Sequence, residues 1–296
     1  VTREIGPNIF CETELHGANV GFVNTGEGVI LIDTPLLPDD ARLWLEEIRK
    51  RTEQKIAYIV NTDHHRGHIL GNQYFPEAKV IAHEFAWKNM RSYGDSFRNR
   101  LLNLYRDRMP EAVTEWREHV RIVEPEVTFT GRTILFKGDK EIHLIPVGGH
   151  TEATSVVYLP REKVLFAGDL VITDRPPFLS QSNTKQWLEA LTYLRKLRYE
   201  VLVPGHGELC GKEATERMSE FLRLVRRRMR SAYRSGMPKA AAARSLQHLL
   251  HEWPIPSFER PKAGRRFKSS LNRVWNEMRA EAAANTASQE VSGRAR

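Results

Sequence analysis

A chain of 296 residues with 41% hydrophobic content is long enough to bury a sizeable core, as one large domain or as a domain with an appendage. No run approaches the ~18 consecutive apolar residues of a membrane span, and no basic segment followed by an apolar stretch opens the sequence, so a soluble, cytoplasmic protein is expected. The net charge of +8 is unevenly placed: residues 211–296 carry 19 Lys and Arg against 8 Asp and Glu, and the remainder is slightly acidic.

A first residue of Val rather than Met leaves a processed, exported form open. Cys11 and Cys210 are too few for a disulfide framework and form no CxxC pair, which favours a reducing compartment and reads both thiols as small hydrophobes.

The first segment reads as strands over Ile5 to Cys11, Asn19 to Asn24 and Val29 to Asp33, the last two joined as a hairpin by Thr25-Gly26-Glu27-Gly28. Pro38, Asp39 and Asp40 open an amphipathic helix with Ala41, Leu43, Trp44, Leu45 and Ile48 on its apolar face, ending near Arg51. Ile56 to Val60 is a continuous apolar run of the kind buried on both faces, and it leads directly into a histidine-rich segment. Val80 to Ala82 is a further strand. The spacing from His83 to Arg108 predicts one long helix, broken by Pro110, with a second helix or a lid reaching Val120. Short strands return at Val127 to Thr130, Thr133 to Phe136, Ile142 to Val147, Ser155 to Leu159 and Val164 to Ala167, then a helix over Thr184 to Leu197 and a strand over Val201 to Val203. After Gly211 the pattern is helical, with breaks at Gly236-Met237-Pro238 and Trp253-Pro254-Ile255-Pro256. Arg223, Arg226, Arg227 and Arg230 read as a solvated helix face, and the small, polar stretch from Ala284 as a frayed tail. This order implies a mixed sheet system covered by helices.

Four stretches carry the chemistry. Asp63-His64-His65-Arg66-Gly67-His68, Gly148-Gly149-His150-Thr151, Gly168-Asp169 and Pro204-Gly205-His206-Gly207 each place a His or Asp in a glycine-containing turn after a β-like run. Such turns can aim ligands from several strands at one point, as a Zn²⁺-type ion bound by N and O donors requires. A single histidine of this kind is more often structural; the joint pattern carries the reading.

From about Ile5 to Gly207 the sequence resembles the metallo-β-lactamase fold hydrolases, whose members carry H-x-H-x-D-H after a buried strand, a GHT histidine, a GD aspartate bridging two metals and a histidine in a PGHG-like turn. The resemblance implies an α/β (α+β) fold, an αββα sandwich with the site at one edge of the packed sheets. Its catalytic domain would span 1–210, with a helical extension over 211–283 packed on it and a disordered tail over 284–296. By position, Asp63, His65 and His150 would hold one ion and His68 and His206 a second, with Asp169 between them. Two positions depart from the family pattern: its first histidine is Asp63 here, and its carboxylate falls on Gly67. The harder oxygen of Asp63 suits zinc and shifts the balance slightly toward iron or manganese. Asp63 is thus read as ligand or base, and one or two zinc ions are expected, the second weaker. His64, between ligand positions, reads equally as an outward-facing proton shuttle or as a residue that simply packs or meets solvent, His83 reads as structural, and Asp33 as fixing turns beneath the site.

The implied reaction is hydrolysis of an ester, lactone, thioester or amide, β-lactams among them, by metal-activated water. Asp169 at the bridging position resembles the glyoxalase II and lactonase branches more than the classical β-lactamases. Two alternatives stand beside it: a mononuclear iron oxygenase of the same fold using Asp63, His150 and Asp169, and an inactive binding protein whose basic C-terminal helices meet nucleic acid. The expected partner is a small-molecule substrate, with nucleic acid and membrane disfavoured. The helices after Gly211 and the insertion His83 to His119 would wall the pocket or form a homodimer contact, Phe85, Trp87, Tyr93, Phe97 and Tyr105 packing the insertion down.

Overall fold

A computed structural model describes residues 1–253, 255 and 260–294, with side chains described to residue 286. The first half contains β1 (Arg3–Gly6), β2 (Ile9–Glu12), β3 (Val20–Asn24), β4 (Val29–Ile32), α1 (Pro38–Arg49), β5 (Ile56–Asn61), α2 (Arg66–Ile69), β6 (Lys79–His83), α3 (Glu84–Met90), α4 (Asp95–Tyr105), α5 (Pro110–His119) and β7 (Val127–Phe129). The second contains β8 (Thr133–Lys137), β9 (Lys140–Pro146), β10 (Ser155–Leu159), β11 (Val164–Ile172), α6 (Thr184–Lys196), β12 (Val201–His206), α7 (Lys212–Arg234), α8 (Lys239–Ser245) and α9 (Arg260–Arg294). One sheet runs β1 to β7 in sequence order, antiparallel to β4 and parallel beyond; the other runs β12-β11-β10-β9-β8, with only β11 and β12 parallel.

The central strands are apolar on both faces because each sheet is covered twice. Ile30 and Ile32 of β4, Val60 of β5, Val157 and Leu159 of β10 and Phe166 of β11 meet between the sheets. The alternate residues face outward: Val29, Leu31 and Ile59 meet Trp44 and Ile48 of α1, and Val156, Tyr158 and Leu165 meet the helices α6 to α9. A period of two with apolar residues on both phases is what a buried strand requires. The result is the αββα sandwich, with both sheets presenting strand ends at one edge. No helix among the described residues is long and apolar enough to cross a membrane.

Several elements differ from their sequence-based expectation. The run Ile5 to Cys11 is two strands, turned at Asn8, whose φ is 60°. The long helix expected over His83 to Arg108 is two, because Ser92 to Gly94 interrupts it and Gly94 caps α4. β11 extends past Ala167 to Ile172 and β12 past Val203 to His206, so Asp169 and His206 lie within strands rather than in turns after them. α9 continues through residues 284–294, where a frayed tail was expected; Ala295 and Arg296 lie outside the described residues, as do Pro254 and Pro256 of the expected break.

The expected solvated arginine face also divides. Arg223 and Arg227 are exposed, but Arg226 is buried. Its guanidinium donates to Thr184 Oγ1 at the start of α6 (2.6 Å) and pairs with Glu277 (3.3 Å) and Glu281 (2.6 Å) of α9, clamping three helices. Removing Arg226 leaves the largely covered carboxylate of Glu277 and the partly covered one of Glu281 without their shared cation. Arg226→Ala should therefore cost about 3 kcal/mol and lower Tm by roughly 6–12 °C. Arg223→Ala should stay within about 0.5 kcal/mol. Thermal unfolding of the two variants checks this, and equal effects would refute the clamp.

Candidate metal centre

The first half of the site hangs on Asp33, at the end of β4, whose φ of 56° turns its carboxylate toward the exit of β5. Asp33 accepts hydrogen bonds from Thr62 N (2.8 Å) and Thr62 Oγ1 (2.6 Å), and His68 Nδ1 donates to Asp33 Oδ2 (2.8 Å). With Nδ1 so committed, His68 turns Nε2 toward Asp169 Oδ2, 3.5 Å away. His65 caps the start of α2; its Nε2 engages Gln181 Oε1, which leaves Nδ1 facing His150 Nε2 at 3.1 Å.

The second half depends on the β11–β12 pair. Register shifts on either side of Gly168 break the regular ladder, and Gly168 takes a φ of 51°, which favours glycine. Asp169 follows directly. Its Oδ1 lies 3.4 Å from His206 Nε2, and its Oδ2 lies 3.4 Å from His150 Nε2. Gly205 on β12 makes this approach feasible, since a β-carbon there would overlap Asp169 Oδ1. His150 follows Gly149 in the loop after β9 and packs its ring edge-on against Trp187.

The charges are mutually dependent. Burial opposes ionisation of Asp169, but His206 and His68 outweigh it and hold the carboxyl well below its usual range. Burial lowers both His150 and His206 to about 4, against the pull of Asp169, which makes them neutral donors at ordinary pH. His68 is the exception: burial would lower it, yet Asp33 and Asp169 together raise it well above the usual histidine value. Two carboxylates thus bracket one imidazole, a surplus of negative charge that a cation would balance. Among the described residues, Asp169 Oδ1 and His150 Nδ1 are buried without a hydrogen-bond partner. Ligand atoms of Asp63, His65 and His150, and of His68, Asp169 and His206, fall into two clusters, each within 4.8 Å.

Asp63, which belongs to the first of these clusters, is also held by hydrogen bonds. Its Oδ1 accepts from the backbone N–H of His64 (2.7 Å) and His65 (3.1 Å), and its Oδ2 from Thr151 Oγ1 (2.7 Å) and Thr154 Oγ1 (2.9 Å). Four donors fill the roughly four lone-pair positions of a carboxylate, and the group is wholly buried. Its geometry is that of an anchor for the loop. His64 is buried beside Tyr93 with Nδ1 3.3 Å from Asp63 Oδ1, neither ring nitrogen has a hydrogen-bond partner among the described residues, and it does not line the cleft, a placement that suits packing better than proton shuttling. His83 caps α3 by accepting from Phe85 N, a structural place. Burial pushes the thiols of Cys11 and Cys210 up to about 11 and about 12, so neither is poised as a nucleophile.

A cleft of about 620 Å³ opens over His65, His68, His150, Asp169 and His206. Gly67 lies on its wall, where the family's carboxylate would project, and His16, hydrogen-bonded through Nδ1 to Asp40 Oδ2 (2.9 Å), lines the same space. Sequence reasoning missed Thr154 and Gln181. Thr154, three residues after Thr151, left a faint signal; Gln181 left none.

Residues 13–206 match the family model of the metallo-beta-lactamase superfamily. The chain is 22% identical over 213 residues to metallo-beta-lactamase IND-1 of Chryseobacterium indologenes, covering 70% of this chain and 79% of that protein. It is 26% identical over 238 residues to a linear primary-alkylsulfatase of a Pseudomonas strain, covering 69% of this chain and 44% of that enzyme. Among solved structures, a metallo-beta-lactamase family protein of Thermus thermophilus aligns with a TM-score of 0.70 at 20% identity, over 95% of this chain and 96% of that one. At such identity the structural likeness speaks to the fold alone. The family match, spanning both halves of the sandwich and all four ligand stretches, establishes that this chain belongs to the metallo-beta-lactamase superfamily.

Proposed function

We propose that the protein is a metal-dependent hydrolase of an ester, lactone, thioester or amide, with zinc as its ion. The observation that carries this reading is Asp169: a buried, ionised carboxylate with imidazole nitrogens of His68, His150 and His206 at 3.4–3.5 Å. Donors about 2.0–2.1 Å from a tetrahedral ion stand roughly 3.3–3.4 Å from one another. The separations are therefore those of ligands around an ion, and the mixed N and O set suits zinc.

On this reading His68, Asp169 and His206 hold the principal ion. His65 and His150 would hold a second one, with Asp169 able to serve both. Asp63 would bring negative charge to that second position, but its oxygens already accept four hydrogen bonds, so the second position is the weaker even though Gly67 removes a carboxylate from the His68 and His206 position. The bound metal supplies Lewis acidity, which polarises a substrate carbonyl and brings the pKa of water toward ~7. The protein's part is to fix the donors: Asp33 sets the tautomer and direction of His68, Gln181 those of His65, and Trp187 the plane of His150.

Metal analysis of the purified protein, paired with turnover of an ester, lactone and thioester panel before and after chelation, tests the reading. Zinc at about one to two equivalents and activity that is lost on chelation and regained with zinc are expected. Protein that binds no zinc, manganese or iron and stays inert when they are added contradicts it. Asp33→Ala should weaken zinc binding by roughly 10- to 100-fold, because His68 loses the partner that aims it. A competition titration with a chromophoric chelator reads this directly, and an unchanged affinity would remove Asp33 from the account.

A further inference from the structure

The cleft is also lined by basic side chains. Arg66, between His65 and His68, meets Arg175 and Arg266 there, with Arg108 and Lys262 nearby. The acidic groups lining the cleft are Asp169, set among its imidazoles, and Asp174, whose two oxygens take a bidentate pair from Arg175 at 2.9 and 2.7 Å. Arg66 donates from Nε to Tyr105 Oη (3.3 Å), and the Arg266 guanidinium lies 4.9 Å from the centre of the Phe178 ring. Among the described residues neither has a carboxylate within ion-pair distance. Arg266 keeps solvent access, yet the surrounding cleft atoms and the charges of Arg66 and Arg175 lower its pKa below the usual arginine value. Like charges gathered beside a cleft oppose one another unless an anion joins them. Planar guanidinium groups are suited to a carboxylate, sulfate or phosphate, which accepts paired hydrogen bonds from them. Beside these cations the wall is apolar, formed by Leu36, Met109, Ile172, Pro177, Phe178 and Phe267.

Resting on the hydrolase reading, we propose that the site selects substrates bearing a compact oxyanion on an apolar body. Arg66 and Arg266 hold the oxyanion, Phe178 and its neighbours hold the body, and the scissile bond lies over Asp169. The oxyanion is a recognition handle, not the bond that is cleaved. Arg266 reaches the cleft from α9, so the C-terminal helices contribute specificity as well as packing.

The zinc-loaded, full-length protein is assayed with 4-nitrophenyl butyrate and with its anionic counterpart, the 4-nitrophenyl monoester of glutaric acid. The expected result is a kcat/KM about tenfold or more higher for the anionic ester, the scale of one charge-assisted hydrogen bond, shrinking as salt is raised. Arg266→Ala should cut that preference by about tenfold, and Arg266→Lys should retain part of it. Arg265→Ala, on an exposed neighbour that does not line the cleft, should keep it in full. Equal kcat/KM for the two esters, or a preference that survives Arg266→Ala, overturns the proposal. If neither ester is turned over, the hydrolase reading fails for such substrates, and calorimetric titration with benzenesulfonate and its neutral analogue methyl phenyl sulfone decides the anion site by itself. Selective sulfonate binding that weakens about tenfold in Arg266→Ala upholds it, and indifference to charge sinks it.

Discussion

A carboxylate buried in the interior of a protein costs several kcal/mol unless its charge is met, and the site is organised around one such group, Asp169. Three imidazoles from three different segments reach it, and each arrives by a separate structural device. His68 is turned by Asp33, His150 is carried by a glycine-rich loop against Trp187, and His206 is brought by the parallel pairing of β12 with β11. The chain gives up side chains to make room: Gly205 carries no β-carbon because that atom would occupy the space of Asp169 Oδ1. With Asp33 nearby, the two carboxylates at His68 exceed the single positive charge that its imidazole can carry. A bound cation is the simplest remedy for that imbalance.

The same constraint explains why the site exists only in the folded sandwich. β4 and β5 belong to one sheet, β11 and β12 to the other, and the loop from β5 is tied across by Ser155 N donating to Thr62 O (2.9 Å) and by Thr151 and Thr154 donating to Asp63. The apolar layer between the sheets fixes the spacing of the two halves, and small errors in that layer would be felt at the donors. The helical layer beyond the second sheet is tied down by the buried Arg226 and its glutamates, which keeps α9 against α7 and Arg266 at the cleft.

Much of this was legible in the sequence, for identifiable reasons. Continuous apolar runs such as Ile56 to Val60 and Val164 to Ala167 mark buried strands because both faces are covered, and glycine-bearing His and Asp stretches at strand ends mark a ligand edge. What failed did so where tertiary contacts decide. Asp169 and His206 read as turn residues because glycines flank them, yet the bulged pairing at Gly168 keeps both in strands. Asp63 reads as a ligand by position, and nothing in the sequence signals that its Oδ2 also ties the loop to Thr151 and Thr154, some ninety residues away in the chain. Arg226 looks like its exposed neighbours at helical spacing, and only the approach of α9 distinguishes it. Gln181 left no trace, since nothing local ties a loop glutamine to a distant histidine.

Anomalous diffraction at the zinc absorption edge, on a crystal grown with zinc, tests the central claim most directly. The account predicts the strongest peak beside Asp169, within bonding distance of His68 and His206, with any second peak weaker and nearer His65 and His150. A principal peak bonded to Asp63, or zinc bound only at sites away from Asp169, would contradict it.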